Sequence, residues 1–397
     1  MIARPEDADP RRKPRLLLVT HYFPAHSGGV EIVAGQLASR LQDKFDLTWM
    51  AAACDPAPHL PGARIEAHPA WNGLERFGLP WPVWGWHGWR ALARAVQHSD
   101  AIHLHDFIYP ASIAALVLSK LFHKPVVITQ HIGDIEYRST ALRTVLRLVN
   151  RSLGRLALGY ADQTIFISPR VKKLFESFTH FPKPPEYWPN GVDTHVFAPL
   201  APLERQALRT RLGIPEGERV ILFVGRFVEK KGVALLKEMA SLRSDWRWWF
   251  AGWGKPGPLR PDTWALPQVT LWKARSGHTL AELYQAADVL VLPSYGEGFP
   301  LVVQESLACG TPVVISIDTA HGGPAFPCAI HALAHNPHAP DLRNWLTTLE
   351  AVIDAPAPDR SKTRDAAARF AATEWNWDRL AERYAHLFKQ LSDSARH

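Results

Sequence analysis

Cysteine is nearly absent: Cys54, Cys309 and Cys328 are the three in 397 residues, an odd and widely scattered set. That excludes a disulfide framework and a cysteine-based metal site, and fits a reducing compartment. Long hydrophobic runs are also missing. No stretch of about 18 uncharged apolar residues occurs, so no segment reads as a transmembrane helix. The first residues, MIARPEDADPRRKPR, have no apolar core and read as a charged, disordered lead-in, not a secretion signal. Internal repeats and low-complexity tracts are lacking as well.

What is present is an ordinary globular composition, 47% hydrophobic and 21% charged, in a chain long enough for two domains with separate cores. The net charge of +7 points to an anionic partner: nucleotide phosphates, a membrane surface or nucleic acid.

The chain is organised around Ser294 to Val314, SYGEGFPLVVQESLACGTPVV. The apolar run Asp288 to Pro293 reads as a buried strand, and Gly296, Gly298 and Pro300 form a tight loop after it. Pro300 is placed at the first helical position, the helix runs Leu301 to Ala308, and Cys309-Gly310-Thr311-Pro312 stops it before a second strand from Val313. A glycine loop opening a helix leaves backbone N–H groups for an anion such as a diphosphate. Glu297 in the loop and Glu305 on the helix are carboxylates able to accept hydrogen bonds from diols.

This segment resembles the E-x7-E signature of retaining GT-B glycosyltransferases, in particular the family 4 enzymes that use nucleotide sugars. The resemblance implies an α/β architecture of two Rossmann-like domains facing across a cleft, with a C-terminal helix crossing back to the first. On that reading the lead-in is 1–14, the acceptor-side domain 15–197, the nucleotide-sugar domain 198–375 and the crossing helix 376–397. Gly225-Arg226-Phe227-Val228-Glu229-Lys230-Lys231-Gly232 follows the strand Arg219 to Val224 and is similar to the family's G-R-x4-K-G loop. Pro189-Asn190-Gly191-Val192-Asp193 resembles its inter-domain turn. Val269 to Ala274 is the expected base-binding segment, with Trp272-Lys273-Ala274-Arg275 in place of the commoner glycine pattern. His321 to Pro337 lacks the acid of the family's G-G-x-x-E.

In the N-terminal half, a strand from Arg15 to His21 leads through Gly28-Gly29 into a helix from about Val30. This is a place for close backbone approach to a phosphate or sugar, and it is not the dinucleotide fingerprint. His131, just past the strand Pro125 to Gln130, resembles the family's cleft histidine. His103, His105 and His123 receive no role. Trp71, Trp81, Trp84, Trp86 and Trp89 fit either an interfacial or sugar-stacking surface, or an aromatic loop packed on its own domain. Between Arg138 and Lys183 nine basic residues face two acids. Arg143, Arg147, Arg151 and Arg155 recur every four residues on one helix stripe, beside an apolar side of Leu142, Leu146, Val149 and Leu153, a pattern suited to an anionic bilayer.

The resemblance therefore implies a glycosyltransferase in which Arg226, Lys231 and the amides after Gly298 stabilise the departing diphosphate. Phe299, Pro300 and Leu301 line the donor, Glu305 holds the ribose, and Glu297 and His131 attend the sugar. No cofactor or metal is expected: the acidic D-x-D of metal-dependent transferases occurs only as Asp7-Ala8-Asp9 in the lead-in. Expected partners are a nucleotide sugar, a glycan or lipid-linked acceptor and the inner face of the plasma membrane, for a peripheral cytoplasmic enzyme of cell-envelope polysaccharide synthesis. The alternatives are a transferase acting on a soluble acceptor and a non-catalytic polyanion-binding scaffold. Nucleic acid is not expected, because the basic residues gather on one helix and do not alternate with stacking aromatics along a groove.

Overall fold

The computed structural model describes residues 12–26, 28–75, 81–133, 140–295, 299–324, 326, 328–336 and 339–394, with 140–143 in backbone alone. The chain divides into two compact units. The first comprises Met1–Ile167, Val171–Trp188 and Asp378–His397; the second comprises Ser168–Arg170 and Pro189–Trp377. Among the described residues no helix is long and apolar enough to cross a membrane.

The first unit is built on a parallel sheet of seven described strands. Its order across the sheet is Ala63–His68, Asp46–Ala52, Arg15–Val19, Ala101–His105, Val126–Gln130, Gln163–Phe166, Glu186–Tyr187. The central strands are apolar on both faces, as a parallel sheet covered by helices requires. The C-terminal helix Trp377–Ser394 contributes to this core: the Tyr384 hydroxyl lies 2.8 Å from Thr129 Oγ1, and Phe388 meets Phe45 edge-on.

The second unit repeats the plan with six described parallel strands. Val269–Trp272, Arg247–Ala251 and Val220–Val224 are followed across the sheet by Val289–Leu292, Val313–Ser316 and Ile330–Leu333. Five tryptophans, Trp246, Trp248, Trp249, Trp345 and Trp375, are fully buried in its core. In both sheets the strand order reverses between the first and fourth strands counted along the unit. Loops at that switch point diverge and leave room for ligands beyond the strand ends.

Apart from the short excursion Ser168–Arg170, the chain crosses between units at Trp188–Pro189 and again at Trp377–Asp378. Within the second unit the two crossing segments lie side by side: Val192 N–H donates to Trp375 O at 2.6 Å, and Val192 bridges Asn376. Val192 and Phe197 pack into the second unit's core.

One close approach ties the two switch-point loops of the second unit. Gly232 is left-handed (φ 70°), and a Cβ there would lie 2.3 Å from Pro293 O. Tyr295 N–H donates to Lys230 O at 2.9 Å across the same contact. Gly232→Ala should therefore destabilise the second unit by about 1–3 kcal/mol, from positive-φ strain and the forced separation of the loops. Denaturant unfolding would show it as a lower midpoint at unchanged slope, and an unaltered midpoint would contradict the close approach.

Candidate functional site

In the second unit, Val220–Val224 ends at Gly225, and the chain then turns through Arg226, Phe227 and the 3-10 turn Glu229–Lys231 into the helix Val233–Leu242. Phe227 is buried and fixes the loop from below, which leaves Arg226 exposed. Among the described residues Arg226 makes no ion pair, whereas Lys231 is largely buried, with Cε beside Gly225. One exposed and one largely buried cation thus sit on a loop clamped to Pro293–Tyr295. That is a suitable cradle for a diphosphate: the fixed charge needs no reorganisation when negative charge develops.

Beyond Tyr295 the expected site residues Glu297 and Gly298 lie outside the described residues, as does Gly296. The chain returns at Phe299, which is buried against Trp375 and against Gly323, where a Cβ would lie 2.3 Å from the Phe299 ring. The helix Leu301–Ala308 follows. Pro300 differs from expectation: it is the N-cap, with extended ψ of 138°, and its carbonyl accepts from Val303 N–H. A proline N-cap contributes no side-chain acceptor, so the first amides of this helix gain no cap from it.

Glu305 lies half-buried on this helix and accepts a 2.8 Å hydrogen bond from the Tyr284 hydroxyl. Burial pushes its carboxyl up to about 7, against the lowering effect of that hydrogen bond. With Oε2 held by Tyr284, the carboxylate is preoriented to accept further hydroxyl donors. At the expected base segment, Trp272 ends its strand edge-on to Trp249, with the Arg275 guanidinium 4.8 Å from its ring. Ala274 adopts the left-handed conformation (φ 52°) that a glycine would take more easily.

In the first unit, Gly28 caps the helix Gly29–Leu41. A Cβ on Gly28 would collide with the Glu31 carboxylate, which folds back over this helix start. Glu31 is buried and pairs with His21 Nε2 at 2.9 Å. Burial pushes its carboxyl up, but the hydrogen bond and charge of His21, its own backbone N–H and His26 outweigh that, and the net shift is downward. The helix N-terminus thus already carries a carboxylate, which favours a hydroxyl over a phosphate at Gly28-Gly29.

His131 is joined to groups that carried no assignment. Its Nε2 lies 2.9 Å from His105 Nδ1, and its N–H donates to Asp106 Oδ1 at 2.7 Å. His103 lies near His105, with ring centroids 4.4 Å apart, and forms a separate hydrogen-bonded set through Thr129 Oγ1 to Tyr384. Burial lowers His131 and His103 to about 3 and raises Asp106 to about 7, so both imidazoles are neutral near pH 7. His131 is therefore a hydrogen-bonding group and not a proton donor. The signal for His105 was available: His103 and His105 alternate on one strand and so share a face.

The tryptophan segment divides. Trp84 is buried, packed on His68 and Trp89, whereas Trp71 and Trp86 are exposed. The arginine segment is not one helix: a π turn, Asn150–Gly154, separates Thr140–Val149 from Arg155–Tyr160. A π turn shifts the face on which later residues emerge. Arg147, Arg151 and Arg155 are exposed, and the side chain of Arg143 lies outside the described residues. Val149 and Leu153 pack on the first unit's core, and the apolar residues left outside are Val145, Leu148 and Leu156.

Comparison with known proteins finds similarity over nearly the whole chain. Residues 27–196 match the family described as Glycosyltransferase Family 4, and residues 204–325 match Glycosyl transferases group 1. A D-inositol 3-phosphate glycosyltransferase of Mycobacterium avium is 34% identical over 94% of this chain and 92% of its own length. Among solved structures, a sucrose-phosphate synthase from Thermosynechococcus elongatus superposes with a TM-score of 0.76 at 20% identity, covering 96% of this chain and all (100%) of that one. Anabaena HepE in complex with UDP and glucose gives 0.72 at 17% identity, covering 95% and 99%.

The raised carboxyls make stability depend on pH. Glu305, ordinarily near 4.5, holds its proton to about 7 in the fold, as Asp106 does in the first unit. Between those values unfolding releases protons. The stabilisation is therefore complete below about 4.5 and lost as pH rises through about 7. The buried, neutral His103 and His131 act in the opposite sense below the ordinary histidine range, so the Glu305 share is read from the variant: Glu305→Gln should make the slope of melting temperature against pH between pH 5 and pH 8 more positive than in the wild type. An unchanged slope in the variant would mean that Glu305 is ionised throughout.

Proposed function

The chain belongs to the family 4 glycosyltransferases, and from that premise we propose that it is a retaining hexosyltransferase. It moves a sugar from a nucleoside-diphosphate donor to a glycan or lipid-linked acceptor in cell-envelope polysaccharide synthesis. The observation that carries this reading is the clamp that sets Arg226 and Lys231 beside the strand end from which Glu297 and Glu305 follow. Arg226, Lys231 and the amides after Gly298 neutralise the departing diphosphate, and Phe299, Pro300 and Leu301 border it. Glu305, held by Tyr284, takes the ribose hydroxyls; Glu297 orients the sugar. His131, neutral, and the Gly28-Gly29 turn hydrogen-bond sugar hydroxyls. The acceptor hydroxyl attacks the anomeric carbon on the face the diphosphate leaves. The bond from that carbon to the phosphate oxygen breaks, and a phosphate oxygen takes the hydroxyl proton. No protein nucleophile takes part.

Arg226→Ala and Lys231→Ala should each lower kcat about 10²-fold or more, because each removes charge that acts on the leaving group. Nucleoside diphosphate affinity, read by calorimetry, should fall with it. Since these cations take the place of a divalent ion, turnover should persist in EDTA. Near-normal kcat in both variants would remove the diphosphate from this loop.

The exposed Val145, Leu148 and Leu156 among Arg147, Arg151 and Arg155 support a peripheral site of action on an anionic leaflet, at the cytoplasmic face of the plasma membrane. A soluble phosphorylated cyclitol acceptor is the second reading, favoured by the Mycobacterium avium relative's name. Vesicle sedimentation separates the two. The first predicts salt-sensitive binding to anionic vesicles, little binding to neutral ones, and loss of binding when Arg147, Arg151 and Arg155 are changed to Glu with nucleotide affinity intact. Absence of lipid dependence in the wild type would favour the soluble acceptor.

A further inference from the structure

The first unit contains a cavity of about 540 Å³ that none of this chemistry uses. It lies where the strands begin, at the end of the sheet opposite Gly28 and His131. Its floor is one face of three neighbouring strands: Leu17 stands in register with Thr48, and Thr48 with Arg64. Strand alternation puts Arg15, Asp46 and Glu66 on that same face. The helix Trp86–His98 roofs this face with Ala91 and Ala95 one turn apart, and side chains that small leave the space unfilled.

Four guanidiniums line the cavity, from Arg12, Arg15, Arg64 and Arg94, against the carboxylates of Asp46 and Glu66. Among the described residues Arg12 and Arg64 make no hydrogen bond or ion pair, and Arg94 donates through Nε to the Arg90 carbonyl of its own helix. Arg15 is tied to Asp100, yet its Nε is buried without a partner. An anion there would supply a partner to the arginine side chains that have no carboxylate of their own. The roof helix ends here, but its last carbonyls are already engaged: His98 Nδ1 meets Arg94 O at 2.8 Å, and Ser99 Oγ donates to Val96 O at 2.9 Å. They do not fill the cavity's demand for negative charge.

We propose that this cavity binds a small phosphorylated molecule, separate from the nucleotide sugar. Guanidinium forks match phosphate oxygens in bidentate fashion, and a phosphate offers enough acceptors for three forks at once, where a carboxylate has two oxygens. The volume falls within the usual range of about 300–1,000 Å³ for small-molecule sites. The sheet floor fixes the backbone from which Arg15 and Arg64 project, so the two side chains start from a rigid surface.

The test is calorimetric titration of inorganic pyrophosphate into the full chain. It is run on wild type, Arg226→Ala and Arg64→Ala/Arg94→Ala, because the donor loop can also take the probe. A site in this cavity predicts binding that persists in Arg226→Ala and weakens about tenfold or more in Arg64→Ala/Arg94→Ala. Nucleoside diphosphate affinity should be retained in the latter, which also reports that it is folded. Asp46→Asn, which removes a repelling carboxylate without removing a cation, should tighten binding. The proposal is overturned if pyrophosphate does not bind, if Arg226→Ala alone abolishes binding, or if neither cavity variant changes the affinity.

Discussion

The clamp between the loop Gly225–Gly232 and the strand end Pro293–Tyr295 is the constraint on which the proposed diphosphate site depends. It consists of one backbone hydrogen bond, Tyr295 N–H to Lys230 O, and one absent Cβ at Gly232. Each is a small contribution. Together they hold a cationic loop, supplied by one strand, beside a loop and helix supplied by another. Transition-state stabilisation requires charge that is already in place when the reaction begins. Burial of Phe227 and Lys231 serves the same end, because a loop anchored from below cannot swing its cation away.

The first unit answers a different electrostatic problem. Its buried titratable groups, His21, Glu31, His103, Asp106 and His131, are packed where the strands end. Isolated charges are costly there, and two responses are visible. Glu31 keeps its charge because His21 is hydrogen-bonded to it; His131 and His103 lose theirs because burial outweighs any stabilising partner. The outcome is a buried cluster of neutral imidazoles and one compensated carboxylate. It suits hydroxyl groups, and contrasts with the cationic loop of the second unit.

Much of the fold was legible because its signals are local. Buried strands such as Val220–Val224 and Val289–Leu292 stand out as apolar runs, and the helix Leu301–Ala308 was bounded correctly by its proline and its Cys309-Gly310 stop. Contacts between distant residues were not legible. Glu31 with His21, and His105 with His131, are set by which strand ends meet, and spacing along the chain does not record that. The arginine segment failed for a related reason: an every-fourth-residue pattern assumes a continuous α-helix, and the π turn at Asn150–Gly154 breaks that assumption. Trp84 and Trp86, two residues apart, lie in the core and in solvent respectively, because a short ribbon ends between them and the helix begins.

The two ends of the first unit's sheet also show how one scaffold separates charges by function. At the strand C-termini, burial keeps His103 and His131 neutral; at the strand N-termini, four arginines border an open cavity. Nothing in folding alone requires that concentration. A well-packed helix–sheet contact would place larger apolar residues at Ala91 and Ala95 and leave no arginines facing one another. A charge arrangement that opposes packing and serves neither the donor loop nor the histidine cluster is best understood as complementary to something that enters from solvent.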